Sequence, residues 1–254
     1  AWTHVQPVLA HTTRVCSYDR AGYGQSDMGP LPRDGRAVAR DLDQALRKAG
    51  INGPFILVGH SLGALYVRIF ADLRPNDVVG MVLADPSIEY QDKRFAAMFG
   101  PNAGSAKPFH DAAAKCLAAA EKGRLPSLDP SLASCVPDRT PVALKRSLDP
   151  AQWRTELSEA DTMWTSTSDE ADAGRYYYGD MPLIVLTADG SYANLPERAR
   201  AIVSDFWRKL HEEIAARAMH GENRMVAKSS HMMMFDRPDA IIGAVEEVIR
   251  RSRK

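Results

Sequence analysis

Residues 54–71 read Pro54-Phe55-Ile56-Leu57-Val58-Gly59-His60-Ser61-Leu62-Gly63-Ala64-Leu65-Tyr66-Val67-Arg68-Ile69-Phe70-Ala71. An apolar run of strand character leads into Gly59-His60-Ser61-Leu62-Gly63, and a stretch of helix character follows. A strand, then G-x-S-x-G, then a helix is the context that a nucleophile elbow requires. Such a turn holds its serine on a tight, strained reversal, so the flanking residues must have almost no side chain. It lifts Oγ above the sheet, and the N-terminus of the following helix stabilises negative charge developing there. The pentapeptide alone is a weak signal, because glycine and serine are common in loops. The strand before it and the helix after it give it weight.

Working outward, residues 1–90 alternate between the two patterns. Trp2 to Ala10 is helix-like, Arg14 to Tyr18 strand-like, and Gly35 to Ala49 an amphipathic helix. Val78 to Ala84 (Val-Val-Gly-Met-Val-Leu-Ala) is a second buried strand. Continuous apolar strands separated by helices predict a mostly parallel sheet covered by helices on both faces. From about residue 90 to 180 the pattern changes. Alanine-rich helical pieces (Ala112 to Ala120, then Pro150 to Trp164) alternate with Pro, Ser and Asp turns, without a buried strand. Sheet character resumes at Met181-Pro182-Leu183-Ile184-Val185-Leu186-Thr187, followed by a long helical stretch, a short strand from Arg224 to Ala227 and a closing helix from Pro238 to Arg250. The expected organisation is an α/β core in residues 1–89 and 181–254, with residues 90–180 inserted as a helical cap.

Composition limits the function classes. The 254 residues suffice for one large α/β domain or a core with an insertion. Lys plus Arg and Asp plus Glu balance at 32 each, so there is no net field to recruit nucleic acid or an anionic membrane surface. No apolar run approaches the roughly 20 residues of a membrane-spanning helix, so no membrane insertion is expected. Oligomeric state is left open. No metal-ligand spacing and no cofactor fingerprint occurs, and the Gly22-x-Gly24 pair lacks the third glycine of a phosphate cradle.

Three cysteines are present. Cys16 lies in the apolar run Arg14-Val15-Cys16-Ser17-Tyr18 and reads as a small buried hydrophobe. Cys116 and Cys135 bracket a loop-rich stretch, where they are either bridged or two separate thiols. A bridge would imply an oxidising compartment, secreted or periplasmic.

A serine hydroxyl needs a base to take its proton, and the base needs a third group to orient it. Of seven histidines, His231 lies just beyond the last short strand in Lys228-Ser229-Ser230-His231-Met232, where the order Ser…Asp/Glu…His places the base. His60 is inside the elbow with its side chain turned from Oγ, while His4, His11, His110, His211 and His220 read as surface or helix positions. Two candidate acids follow strands between Ser61 and His231: Asp85, ending Met81-Val82-Leu83-Ala84, and Asp189, after Thr187.

These features resemble the α/β-hydrolase superfamily, in particular capped serine hydrolases related to esterases and haloperoxidase-like enzymes. Besides the elbow, Asp19-Arg20-Ala21-Gly22-Tyr23-Gly24-Gln25-Ser26-Asp27 is similar to that family's D-x-x-G-x-G-x-S-D turn. Leu83-Ala84-Asp85-Pro86 matches the end of its sixth strand, and Ser230-His231 with Arg237-Pro238-Asp239 its closing segment. The family usually places the acid a few residues beyond the seventh strand. Here that slot falls on Ser191 or Tyr192, and Asp189 comes about two residues early. A minority of members use a carboxylate after the sixth strand, where Asp85 stands, so the resemblance favours Asp85 and keeps Asp189 as the alternative. It also implies that the Leu62 amide is one oxyanion donor. The second belongs to an H-G loop after an earlier strand, so Ala1 is expected to open inside a longer sequence lacking the first strands here. Gly22 and Gly24 read as positive-φ positions in a structural loop tied by Asp19 and Ser26.

The activity implied is hydrolysis of a small-molecule carboxylic ester or lactone through Ser61, His231 and Asp85, with neither metal nor cofactor. C–C bond or amide hydrolysis would use the same residues, and a small-molecule receptor on this fold is the reading from another class. An aspartate-nucleophile reaction is disfavoured by Ser61. Met232 (with Met233, Met234 and Phe235), Trp164 (with Met163) and Tyr178 (with Tyr176 and Tyr177) are candidates to line an apolar substrate pocket, set against plain core packing.

Overall fold

A computed structural model describes residues 2–127, 129–136 and 141–253. In chain order its elements are α1 (Gln6–Leu9), α2 (Gly35–Lys48), β1 (Phe55–His60), α3 (Gly63–Leu73) and β2 (Val78–Ala84). There follow α4 (Gln91–Phe99), α5 (Lys107–Glu121), a 3-10 turn (Pro130–Cys135), α6 (Pro141–Ser147), α7 (Pro150–Thr162) and α8 (Ser166–Asp172). The chain closes with β3 (Leu183–Ala188), α9 (Glu197–Ala215), β4 (Glu222–Val226), α10 (Met233–Asp236) and α11 (Pro238–Ser252).

The strands form one sheet in the order β1-β2-β3-β4, every pair parallel, and helices cover both faces in an α/β-hydrolase fold. Burial on both faces explains why β2 and β3 are nearly continuous apolar runs. The registers His60↔Ala84 and Ala84↔Leu186 bring the carboxyl ends of β1, β2 and β3 level. In a parallel sheet, that edge is where ligand chemistry gathers.

The chain divides into two compact units. The first comprises Ala1–Ser17, Leu46–Ile88 and Ala171–Lys254 and contains the whole sheet. Its core joins Val82 and Ala84 of β2, Ile184 and Leu186 of β3, and Ile241, Val245, Val248 and Ile249 of α11. The spacing 241, 245, 248 marks one helical face, and each such buried side chain contributes about 1.5–3 kcal/mol relative to exposure. Met233 and Met234 belong to this core, fully buried. That half of the methionine run is core packing.

The second unit comprises Tyr18–Ala45 and Glu89–Glu170. Asp149 caps α7 by accepting from Ala151 N at 2.8 Å, with Pro150 at the helix start, where a missing N–H costs nothing. Cys116 and Cys135 form a disulfide beside Leu125, Leu132 and Trp153. In the turn at 19–27, Gly22 and Gly24 take φ of +81° and +59°. Asp19 Oδ2 accepts from Gln25 N at 2.9 Å and Ser26 Oγ donates to the Asp19 carbonyl at 2.6 Å. This segment is a tied structural loop.

Three expectations need correction. Arg14 to Tyr18 forms no strand: its backbone is met by Gln6, whose Nε2 donates to the Val15 carbonyl at 3.4 Å, while Ser17 Oγ donates to Gln6 Oε1 at 2.7 Å. Without a strand there, Cys16 is exposed. The helix expected over Trp2 to Ala10 contracts to the single turn of α1, beginning at Pro7's neighbour; before it, Val5 N and Gln6 N both turn back to the Trp2 carbonyl.

Candidate active site

Gly59 and Ser61 build the turn between β1 and α3. A Cβ at Gly59 would lie 2.7 Å from the Gly63 carbonyl oxygen, 2.8 Å from Val67 Cγ2 and 2.9 Å from Ala64 Cα. The helix therefore crosses this strand end only because no side chain stands there. Gly63 differs from the sequence expectation, since a Cβ there would meet open space. Ser61 itself holds φ of +52°, a left-handed conformation costing roughly 1–2 kcal/mol for a side-chain-bearing residue. Non-glycine residues held in this way cluster at functional sites.

Asp85 follows β2 and also has positive φ, +41°. Its side chain is fully buried. Oδ2 accepts from His231 Nδ1 at 2.7 Å and from Ser191 Oγ at 2.6 Å. Oδ1 accepts from Trp207 Nε1 at 3.0 Å and from Ala188 N at 3.2 Å. Burial is the largest single influence on this carboxyl and opposes its ionisation. The hydrogen bonds from His231 and Ser191, with the nearby His211, outweigh burial and hold it below the ordinary carboxylate range.

His231 stands between the two, with Nε2 3.0 Å from Ser61 Oγ. Because the Asp85 carboxylate can only accept, Nδ1 carries the proton and Nε2 is left as the acceptor for the serine hydroxyl. The loop carrying His231 is pinned at several points. Asp189 accepts from Lys228 N at 3.0 Å and Ser229 N at 3.1 Å, and Gly190 N donates to the Ser229 carbonyl at 2.8 Å. Asp236 accepts from Ser230 N at 2.7 Å. His60 Nε2 donates to the His231 carbonyl at 2.7 Å, and the two rings lie 4.6 Å apart. Burial, then the neighbouring His231, push the His60 imidazole down to about 4.

Ser61, His231 and Asp85 are thus gathered in series, whereas Asp189 serves the loop backbone. Leu62 N lies at the N-terminus of α3, where helical N–H groups lack intrahelical partners. Met232 is half-exposed beside His231. Tyr178 is buried in the first unit with its hydroxyl 3.4 Å from Arg68 Nε, and Trp164 is buried in the second unit. Among the described residues, no group of three or more His, Cys, Asp or Glu side chains is arranged to hold a metal, and no helix is long and apolar enough to cross a membrane.

Sequence reasoning missed two aromatic residues of α9. His211, read as a surface or helix position, is completely buried, with Nε2 donating to the Pro86 carbonyl at 2.9 Å. Burial pushes its imidazole down to about 4, against the pull of Asp85. Trp207 packs against it with the rings tilted at 57° and their centres 4.4 Å apart. The available signal was spacing: Trp207 and His211 lie four apart, on the face that also buries Leu210 and Ile214.

Comparison with known proteins matches residues 1–244 to the alpha/beta hydrolase family. An AB hydrolase superfamily protein of Gibberella zeae is 38% identical over 92 residues, covering 35% of this chain and 29% of that protein. Matched stretches span only 13%, 15% and 29% of the lengths of three curated relatives. Among solved structures, a thermophilic esterase from Thermogutta terrifontis superposes with a TM-score of 0.64 at 18% identity, over 100% of this chain and 85% of that one. The deformylase Nfo of Pseudomonas putida S16 gives 0.62 at 21% identity, over 96% and 85%. At such identities the structural likeness concerns the fold alone.

Proposed function

The chain belongs to the alpha/beta hydrolase family, and on that premise we propose that it hydrolyses a carboxylic ester, lactones included, through a Ser61–His231–Asp85 triad. The observation that carries this reading is the unbroken series from Ser61 Oγ to His231 Nε2 and from His231 Nδ1 to Asp85 Oδ2, at 3.0 and 2.7 Å. Both contacts fall within the reach a general base needs.

In this mechanism Ser61 Oγ attacks the substrate carbonyl carbon as its proton passes to His231 Nε2. Asp85 keeps its charge, holds Nδ1–H and stabilises the imidazolium. The Leu62 N–H donates to the carbonyl oxygen as it becomes an oxyanion; one such donor supports turnover by about 10²–10³-fold. Collapse of the tetrahedral intermediate breaks the C–O bond, and His231 returns the proton to the leaving alcohol. Water, deprotonated by the same imidazole, then attacks the acyl-enzyme and releases the acid. A serine at the elbow argues against reactions that begin with an aspartate nucleophile. The assignment of residues 90–180 as a cap is part of the same proposal.

A fluorophosphonate probe tests the reading without a guess at the substrate, since it reacts only with an activated serine. Peptide mapping should find the adduct on Ser61, and Ser61→Ala should abolish it. A panel of esters, lactones and amides then identifies the bond cleaved. Folded protein that stays unlabelled, or labelling that survives Ser61→Ala, would overturn the proposal.

A further inference from the structure

Asp85 stands after β2, and the chain supplies it with donors from two other elements. Ser191 and Ala188 reach it from the end of β3 and the loop beyond, and Trp207 from α9. Each carboxylate oxygen carries two donors, so the group can neither rotate nor turn away from His231. Ser191 has the more specific placement. Its hydroxyl shares Oδ2 with His231 Nδ1, at 2.6 and 2.7 Å. A donor on a carboxylate oxygen draws on its negative charge, and so weakens that oxygen's hold on a second proton.

Building on the triad reading above, we propose that Ser191 and Trp207 are positioning residues of this site. Trp207 fixes the Asp85 carboxylate in plane, and the Ser191 hydroxyl, by sharing Oδ2, draws on the charge that holds His231 Nδ1–H. A loop residue that carries no charge itself thus acts on the charge installed just past the neighbouring strand.

The groups facing this pair do not confuse the readout. His60, at the end of β1, and His211, on α9, are both pushed down to about 4 by burial. Tyr192, in the loop after β3, is pushed well above its ordinary value by burial and then by Asp85.

The test is the fluorophosphonate labelling rate at Ser61 against pH for the wild type, Ser191→Ala, Ser191→Thr and Trp207→Phe. Removing the Ser191 hydroxyl should move the acid limb of the profile upward by about 0.5–1 pH unit, and threonine, which restores a hydroxyl, should bring it back. Trp207→Phe should lower the plateau by about 3–10-fold, the scale of one lost hydrogen bond. Titration of the His231 ring by NMR reads the same upward shift in Ser191→Ala without any chemistry at Ser61. Ser191→Cys, a weaker donor of similar shape, substitutes if the alanine variant does not fold. An unmoved limb and an unmoved His231 titration in Ser191→Ala would overturn the inference while wild-type labelling left the triad reading standing. Absent labelling with the NMR shift present would do the reverse.

Discussion

Ser61 and Asp85 leave adjacent parallel strands side by side, both in left-handed backbone conformations, at φ of +52° and +41°. The pairing His60↔Ala84 sets them level, and Ser61 N donates to the Ala84 carbonyl at 3.2 Å. The Ser61 carbonyl in turn accepts from Ser87 N at 3.0 Å, just past Asp85. Two strained residues are therefore braced against each other through the backbone, and the surrounding sheet over-determines a geometry that neither would adopt alone. The imidazole of His231 needs only to span their side chains.

The two glycines of the elbow should respond oppositely to alanine. Gly59→Ala forces a methyl against backbone and side-chain atoms at 2.7–2.9 Å, which calls for a shift of α3. A loss of about 1–3 kcal/mol or outright misfolding is expected. Gly63→Ala meets open space at the first residue of α3 and should leave stability unchanged or raise it by up to about 1 kcal/mol. Chemical denaturation of the pair measures this, and an equally destabilised Gly63→Ala would contradict the elbow geometry.

The two aspartates should separate by chemistry. Asp85→Asn places an amide among four donors and favours the wrong His231 tautomer, so Ser61 labelling should fall by about 10³–10⁴-fold. Asp189→Asn disturbs only the contacts to Lys228 N and Ser229 N, and should leave labelling within about tenfold while costing roughly 1 kcal/mol of stability. The reverse ranking, with circular dichroism showing both variants folded, would move the acid to Asp189.

Loop closure gives the disulfide a measurable role. Cys116 and Cys135 are separated by 19 residues, and tying a loop of that size restricts the unfolded chain by about 3 kcal/mol. The double variant Cys116→Ser, Cys135→Ser should lose stability of that order in denaturant. The exposed Cys16→Ser should change it by less than about 0.5 kcal/mol.

The elements most legible in the sequence were those whose apolar pattern is both strong and local. The runs at 55–58, 78–84 and 183–187 are strands because both faces of the sheet are covered, and the G-x-S-x-G between strand and helix could be read as a turn. Arg14 to Tyr18 misled because an apolar stretch of five residues satisfies a strand pattern equally well when a side chain, here Gln6, takes the place of a neighbouring strand. Within the site, Ser61 and His231 could be read from their positions beside strand ends. Which of Asp85 and Asp189 meets the His231 ring depends on distances across strands, which no local pattern encodes. Trp207 and His211 were hidden for a related reason: a helix face that buries aromatic rings looks the same in sequence whether their nitrogens meet a carboxylate, a carbonyl or nothing.

Buried neutral histidines make the fold sensitive to mild acid. His60 and His211 both titrate at about 4 in the folded protein, with burial the main cause, against an ordinary value of 6.5. Between those values the unfolded chain binds the proton and the folded chain does not, so protonation favours unfolding. Stability should accordingly be flat above about pH 6.5 and fall from there toward pH 4, by up to about 1.4 kcal/mol per pH unit for each histidine. Asp85, whose carboxyl lies below its ordinary value, contributes stability that is lost only as pH falls further, through its folded value. It therefore does not account for the decline above pH 4. Denaturant midpoints measured from pH 8 to 4 give the curve, and His60→Gln, which keeps an N–H donor for the His231 carbonyl but cannot titrate, should remove about half of the slope. A His60→Gln curve that keeps the full wild-type slope would mean that His60 is not held neutral by burial.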